Sequence, residues 1–248
     1  MNELSGKVAI VTGASKGIGA RIALRLGAEG AAVVVNYASS KSGADQIVAA
    51  ILKDGGKAIA VQADVSKRED VKRLFAAAQD AFGRLDVLVN NAGVFDFGAL
   101  EQVTEANFHR QFDNNVLSTI LVTQQALQHF GGEGGSVINF SSISSVNPVP
   151  NSVVYSATKS AIDAVTKALA TELAARKIRV NAIAPGMTAT EGLAAMGVGE
   201  VEAKAIGASL PMGRIGRPDD IAAVAVFLAS NRSAWVTGER LTVSGGQR

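Results

Sequence analysis

The 248-residue chain contains no cysteine. Disulfides and Cys-ligated metals are therefore excluded. Histidine is scarce as well. His109 and His129 are the chain's two, both fall in one predicted helix, and neither stands near a second ligand. A Ser-His-Asp hydrolase or a His-built metal centre has no foothold in that arrangement, and no metal is expected. Long apolar runs are missing: the longest is Ile221–Ala229, against the roughly 20 residues a membrane-spanning helix needs. The first residues, MNELSGK, show no charged segment leading into an apolar one. Neither sign of charge dominates, with 24 basic and 22 acidic residues and a net charge of +2. That balance gives no reason to expect nucleic acid or an anionic membrane as the main partner. The charged run Lys67–Arg73 mixes both signs and reads as a solvated helix face. On these absences a soluble cytoplasmic protein is the expectation.

What is present is regular. Apolar residues make up 48% and charged residues 19%, the balance of a globular chain long enough for a sizeable core. Short β-branched runs alternate with helical patterns along the whole length. KVAIVT (7–12), AAVVVNY (31–37), AIAVQADV (58–65), LDVLVNNAG (85–93), SVINFSS (136–142), IRVNAIAPG (178–186) and RLTVSGG (240–246) read as strands with their exits. Helices are predicted between them, including one from Thr104 to about Phe130 and one over roughly 152–175. Ser66 with Glu69 three residues later reads as a capping box opening another. The alternation argues for a single Rossmann-type α/β domain over 1–248, a doubly wound parallel sheet of about seven strands with helices on both faces. The segment 187–217 is too long for an ordinary connection and is expected to be a substrate lid.

Two motifs carry chemistry. TGASKGIG places Gly13, Gly17 and Gly19 between a strand and a helix. Glycine there lets the backbone turn tightly and approach a pyrophosphate, while the helix N-terminus offers free N–H groups. YSATK places Tyr155 and Lys159 one helical turn apart on one face. A free Tyr has a pKa of about 10, and a neighbouring ammonium is expected to shift it down by roughly 1–3 units, toward useful acid–base chemistry.

Either motif alone is weak. Together with NNAG (90–93) and PG (185–186), in this order and at this spacing, they resemble the marks of the short-chain dehydrogenase/reductase family, and the C-terminal TVSGG is similar to that family's ending. The resemblance covers essentially the whole chain. It implies Tyr155 as proton donor or acceptor at the substrate oxygen and Lys159 as its partner and ribose holder. It further implies Ser142, thirteen residues before Tyr155, as the hydroxyl on the substrate oxygen, and Asn115 as holder of a relay water. The cofactor would be held by Gly13, Ser15, Lys16, Gly17, Ile18 and Gly19; by Asn36, Tyr37, Ser39 and Ser40; by Asp64 and Val65 at the adenine; by Asn91, Ala92 and Gly93; and by Pro185, Gly186 and Thr188 with Tyr155 and Lys159. The family's NAD-binding members carry an acid where this chain has Tyr37, and no carboxylate follows until Asp45. Ser39, Ser40, Lys41 and Lys16 suit a 2′-phosphate instead. NADP(H) is the expected cofactor, with NAD(H) the lesser choice.

The expected substrate wall is Phe95 and Phe97, the ISSVNPVP turn, and Leu193, Met196 and Met212 of the lid. Its apolar character favours a neutral ketone or secondary alcohol. The resemblance is closest to 3-oxoacyl-[acyl-carrier-protein] reductases and to sugar and carbonyl dehydrogenases. Acyl carrier protein is a disfavoured partner, because QQALQHFGGEGG lacks basic residues. An alternative of another class is an NADP(H)-binding sensor or scaffold without catalysis. Ala157, Ala161, Ala164 and Ala168 form a small-residue helix face, and the family pairs this helix across subunits, so a homotetramer is expected.

Overall fold

The computed structural model describes residues 2–195 and 197–247. Met196, expected in the substrate wall, lies outside the described residues. Seven strands form one sheet: β1 (Val8–Val11), β2 (Ala32–Tyr37), β3 (Lys57–Gln62), β4 (Val87–Asn90), β5 (Gly135–Phe140), β6 (Ile178–Pro185) and β7 (Arg240–Val243). Their order is β3-β2-β1-β4-β5-β6-β7, and every pair is parallel. The expected doubly wound sheet is therefore present.

Alternation along β1 shows how the sequence builds it. Ala9 and Val11 point into one core with Ile22 and Leu26 of α1 (Gly17–Ala28), Ile51 of α2 (Lys41–Lys53) and Leu228. Ile10 points into the other, with Leu74 and Phe75 of α3 (Arg68–Phe82). A strand buried on both faces must be apolar at every position, which is why the β1, β2 and β4 runs are nearly continuous.

Three elements depart from the sequence-based expectation. The helix foreseen over 104–130 is broken into α4 (Glu105–Phe112), a π-helical turn (Asp113–Leu117) and α5 (Ser118–Ala126). The wider turn lets the Asn115 side chain reach the chain beyond β4, described below. The capping box at Ser66 does not form: α3 is preceded by Lys67, with no side-chain cap. The Ser66 hydroxyl donates to Asp64 at 2.6 Å instead, closing a local turn that competes with a cap. The excursion after β6 carries two helices, α7 (Glu191–Ala195) and α8 (Glu200–Ser209). Its neck is pinched by the Gly216 N–H donating to the Met187 carbonyl at 2.8 Å and the Ala189 N–H to the Gly216 carbonyl at 2.9 Å.

The last helices are α6 (Val153–Leu173), preceding β6, and α9 (Pro218–Ala229), preceding β7. Among the described residues no helix is long and apolar enough to cross a membrane.

Candidate active site

The strand order switches direction between β1 and β4, whose carboxyl ends open the crevice where ligands of such folds bind. Gly13 and Ala92 meet there. A Cβ on Gly13 would stand 2.9 Å from the Ala92 Cα, and Gly13 has φ +62, so both sterics and backbone demand glycine. The Thr12 hydroxyl, which the sequence did not single out, ties the two loops. It accepts from the N–H groups of Asn91 and Ala92, each at 3.0 Å. The Asn91 amide returns two bonds, to the carbonyls of Thr12 at 2.9 Å and Gly13 at 3.1 Å.

No side chain caps the first turn of α1, so the N–H groups of Gly17, Ile18 and Gly19 lack intrahelical acceptors. Gly19 presses against the Asn91 amide and leaves no room for a side chain. The excursion after β6 reaches the same place: Thr190 and Glu191 come within 3.6 Å of where a Gly17 Cβ would lie. The cradle of free donors fits a pyrophosphate, and Ser15 and Lys16 sit on its rim.

At the end of β2, Asn36 corrects an expectation. It is 1% exposed and faces inward rather than toward a phosphate. Its amide oxygen accepts from the Gly13 N–H at 3.1 Å, and its nitrogen donates to the Ala63 and Val61 carbonyls at 3.1 and 3.3 Å. All its capacity goes into joining β1, β2 and β3. Tyr37 is buried in the core, whereas Ser39 is exposed and Ser40 half-buried. Lys41 differs from expectation too, since its ammonium pairs with Asp45 at 2.7 Å. Gly43, passed over in the sequence, lets α2 approach; a Cβ there would stand 2.5 Å from the Ser15 carbonyl and 2.9 Å from the Ser40 hydroxyl. Ser15, Lys16, Ser39 and Ser40 thus share one corner. Asp64 and Val65 follow β3, with the Asp64 carboxylate engaged by Ser66 and by Lys67 at 3.3 Å.

The other end of the crevice holds the four residues singled out as catalytic. Ser142 follows β5, and its hydroxyl accepts from the Ser144 N–H at 3.1 Å and lies near enough to the Tyr155 phenol to favour its phenolate. Tyr155 and Lys159 share one face of α6, with the ammonium 5.6 Å from the phenol ring centre. Lys159 is 7% exposed and donates to the Phe140 carbonyl at 2.9 Å. Asn115 clamps the chain beyond NNAG: its oxygen accepts from the Val94 N–H at 2.7 Å, and its nitrogen donates to the Val94 carbonyl at 2.8 Å and Thr158 at 3.0 Å. Gly93 fits below it, since a Cβ would lie 2.9 Å from the Asn115 oxygen and 3.8 Å from the Lys159 ammonium. Pro185 and Gly186 close β6, and the buried Thr188 hydroxyl donates to the Gly186 carbonyl at 2.9 Å.

The electrostatics reverse one expectation. Tyr155 titrates above its ordinary value, because burial disfavours the phenolate more than the Ser142 hydroxyl favours it. Burial also pulls Lys159 down to about 8, against an opposing pull from Asp163. The i, i+4 spacing supplies proximity, but low-dielectric surroundings penalise both charged forms.

Phe95 and Phe97 flank Tyr155, with ring centres 6.4 and 5.5 Å from its own. They are 40% and 37% exposed, and Val146 and Val149 of the ISSVNPVP turn are exposed beside α6. The wall charge Asp96 is taken up by Asn107 at 2.7 Å and Arg110 at 3.2 Å. Leu193 is half-buried and Met212 exposed.

A parallel sheet with a glycine cradle at its switch point and a Ser, Tyr and Lys cluster at the same end is the architecture of Rossmann-type oxidoreductases. A family model described as Enoyl-(Acyl carrier protein) reductase matches residues 13–248. An uncharacterized oxidoreductase of Methylorubrum extorquens is 57% identical, with 100% of each chain covered. The 3beta-hydroxysteroid dehydrogenase 1 of Eggerthella lenta is 44% identical, covering 99% of this chain and 95% of its own. The crystal structure of the angucycline C-6 ketoreductase LanV with bound NADP superposes with a TM-score of 0.92 at 38% identity, covering 98% of this chain and 96% of that one. The chain belongs to the short-chain dehydrogenase/reductase family and is an oxidoreductase.

Proposed function

We propose that this protein is an NADP(H)-dependent dehydrogenase/reductase that interconverts a neutral ketone and a secondary alcohol, with Tyr155 as the acid–base group. The observation that carries the reading is the meeting of the Ser142 hydroxyl, the Tyr155 phenol and the Lys159 ammonium beside the glycine cradle. In the direction of reduction, the carbonyl carbon gains a hydride and its oxygen gains the Tyr155 proton; oxidation reverses both transfers. Ser142 steadies the negative charge developing on that oxygen. A half-buried phenol kept neutral is the form that donates a proton. Lys159 would hold the cofactor ribose and return protons to Tyr155, and Asn115, which holds the loop at Val94, would hold the water of that relay.

The nicotinamide cofactor, when bound, supplies or accepts the hydride. Gly13, Gly17, Ile18 and Gly19 would take its pyrophosphate; Ser15, Lys16, Ser39 and Ser40 its 2′-phosphate, over Tyr37; Asp64 and Val65 the adenine. Ala92, Gly93, Pro185, Gly186 and Thr188 would line the nicotinamide, and Asn36 and Asn91 would shape the cradle from behind. The NADP bound to the angucycline ketoreductase supports this choice. Phe95 and Phe97 beside Tyr155 support a neutral, ring-bearing ketone, in keeping with the steroid dehydrogenase among the relatives. The small-residue face of α6 supports a homotetramer, because Ala157, Ala164 and Ala168 are exposed rather than packed on their own sheet.

The test is NADPH oxidation over a panel of cyclic and open ketones, diketones and acetoacetyl thioesters, with NADH in parallel. We expect NADPH to be preferred and Tyr155→Phe to lose about 10²–10⁴ of kcat while still binding NADPH. Equal KM values for the two cofactors would end the NADP(H) assignment. Tight NADPH binding without turnover of any ketone would end the enzymatic one.

A further inference from the structure

We propose that Arg240, on the edge strand β7, is a positioning residue that sets the Ser142 hydroxyl on Tyr155; the proposal rests on the roles given to those two residues above. Arg240 is 98 residues from Ser142 in the chain, yet its Nη2 donates to the Ser142 carbonyl at 2.8 Å. Its Nε donates to the Ser145 hydroxyl at 3.0 Å and lies 3.1 Å from Asp163 Oδ2. Its Nη1 donates to Thr242 at 2.8 Å. One planar guanidinium thus grips both ends of the short 3-10 turn Ile143–Ser145 and anchors it to α6, the helix of Tyr155 and Lys159.

The pair is costly for mere stability. Arg240 and Asp163 are 16% and 14% exposed, and among the ion pairs of the described residues it is the one with both partners largely buried. Asp163 Oδ1 is buried without a hydrogen-bond partner among the described residues. Apolar side chains of similar volume would serve packing as well. What they would not do is hold the Ser142 carbonyl, and through it the direction of the Ser142 hydroxyl. The other ties between this turn and α6 include the Ser160 hydroxyl donating to the Ser145 carbonyl at 2.7 Å, an exposed bond, and Ser141 donating to the Lys159 carbonyl at 3.4 Å. Asp163 also stands one helical turn beyond Lys159, where its charge favours the ammonium.

The chain has two tyrosines, so in a Tyr37→Phe background phenolate absorbance titrates Tyr155 alone. Arg240→Lys keeps a cation for Asp163 but loses the fork that spans the Ser142 carbonyl and the Ser145 hydroxyl. We expect this variant to raise the Tyr155 midpoint, because a Ser142 hydroxyl held toward the phenol favours the phenolate. We also expect kcat to fall about tenfold while the Kd for NADPH stays within about twofold. Asp163→Asn keeps the fork and should lose less kcat than Arg240→Lys. An unmoved Tyr155 midpoint, or a kcat loss matched by an equal loss of NADPH affinity, would overturn the proposal. If Arg240→Lys does not fold, Ser145→Ala removes one of the fork's contacts and must shift the midpoint in the same direction; no shift overturns it equally. If the parent protein reduces no ketone, the functional reading falls, while the phenolate titration still decides whether Arg240 governs Tyr155.

Discussion

Lys159 sits in a setting far from water, and its titration shows it. Burial lowers it from 10.5 to about 8. Below pH 8 both folded and unfolded chains carry the charge, and the folded chain bears its full desolvation. Between 8 and 10.5 the unfolded chain holds a proton that the folded chain has released, so stability from this group rises with pH across that window. Above 10.5 both are neutral and the penalty is gone. Comparing cofactor-free protein with Lys159→Met by denaturant unfolding from pH 8 to 10.5 should therefore show the parent gaining roughly 3 kcal/mol relative to the variant. Tyr155, raised by burial, acts in the opposite sense at the top of the range, but it is present in both proteins and cancels. A flat difference would mean a solvated lysine. The closeness of Tyr155 and Lys159 was legible in five letters of sequence. The sign of the Tyr155 shift was not, because burial depends on β5, α6 and the loop beyond β4 closing over the pair.

At the scale of elements, the glycines separate close approach from backbone strain. Gly19 sits within helix α1, where a Cβ would clash with the Asn91 amide and stand 2.6 Å from the Gly13 carbonyl. Gly55 has φ +80 and nothing within 4 Å. Gly19→Ala should push the Asn91 amide off the cradle, raising the Kd for NADPH about tenfold or more and costing roughly 1–3 kcal/mol of stability. Gly55→Ala should cost about 1–2 kcal/mol from strain alone and leave NADPH affinity unchanged. Fluorescence titration and urea unfolding read the two quantities separately, and equal loss of affinity in both variants would refute the distinction. The cradle itself was legible, since TGASKGIG lies between a strand and a helix. The π-helical turn at Asp113–Leu117 was not. Residue periodicity continues through it, and it goes with a pair of bonds between Asn115 and Val94, 21 residues away.

At the scale of the molecule, the exposed apolar side chains gather on a few surfaces. Phe108, Leu117 and Ile120 stand exposed along α4, the π-helical turn and α5, and Val153 opens α6. With the exposed alanines of α6 they form the faces that would meet in the proposed tetramer. Ala164→Arg should shift the sedimentation coefficient from tetramer toward dimer or monomer; an unchanged coefficient would place the interface elsewhere. The strand alternation made the sheet and its two cores legible, and the length of 187–217 marked an excursion that carries two helices. The tie from Arg240 to Ser142 was hidden, because no local pattern joins residues on β7 to the exit of β5. That tie has a temporal consequence. A chain made from its N-terminus completes the cradle, the serine turn and the YSATK helix before β7 exists. The Ser142 carbonyl therefore gains its Arg240 partner only with the strand that is added last to the sheet, so on the reading above the Ser142–Tyr155 alignment is the last part of the site to be set.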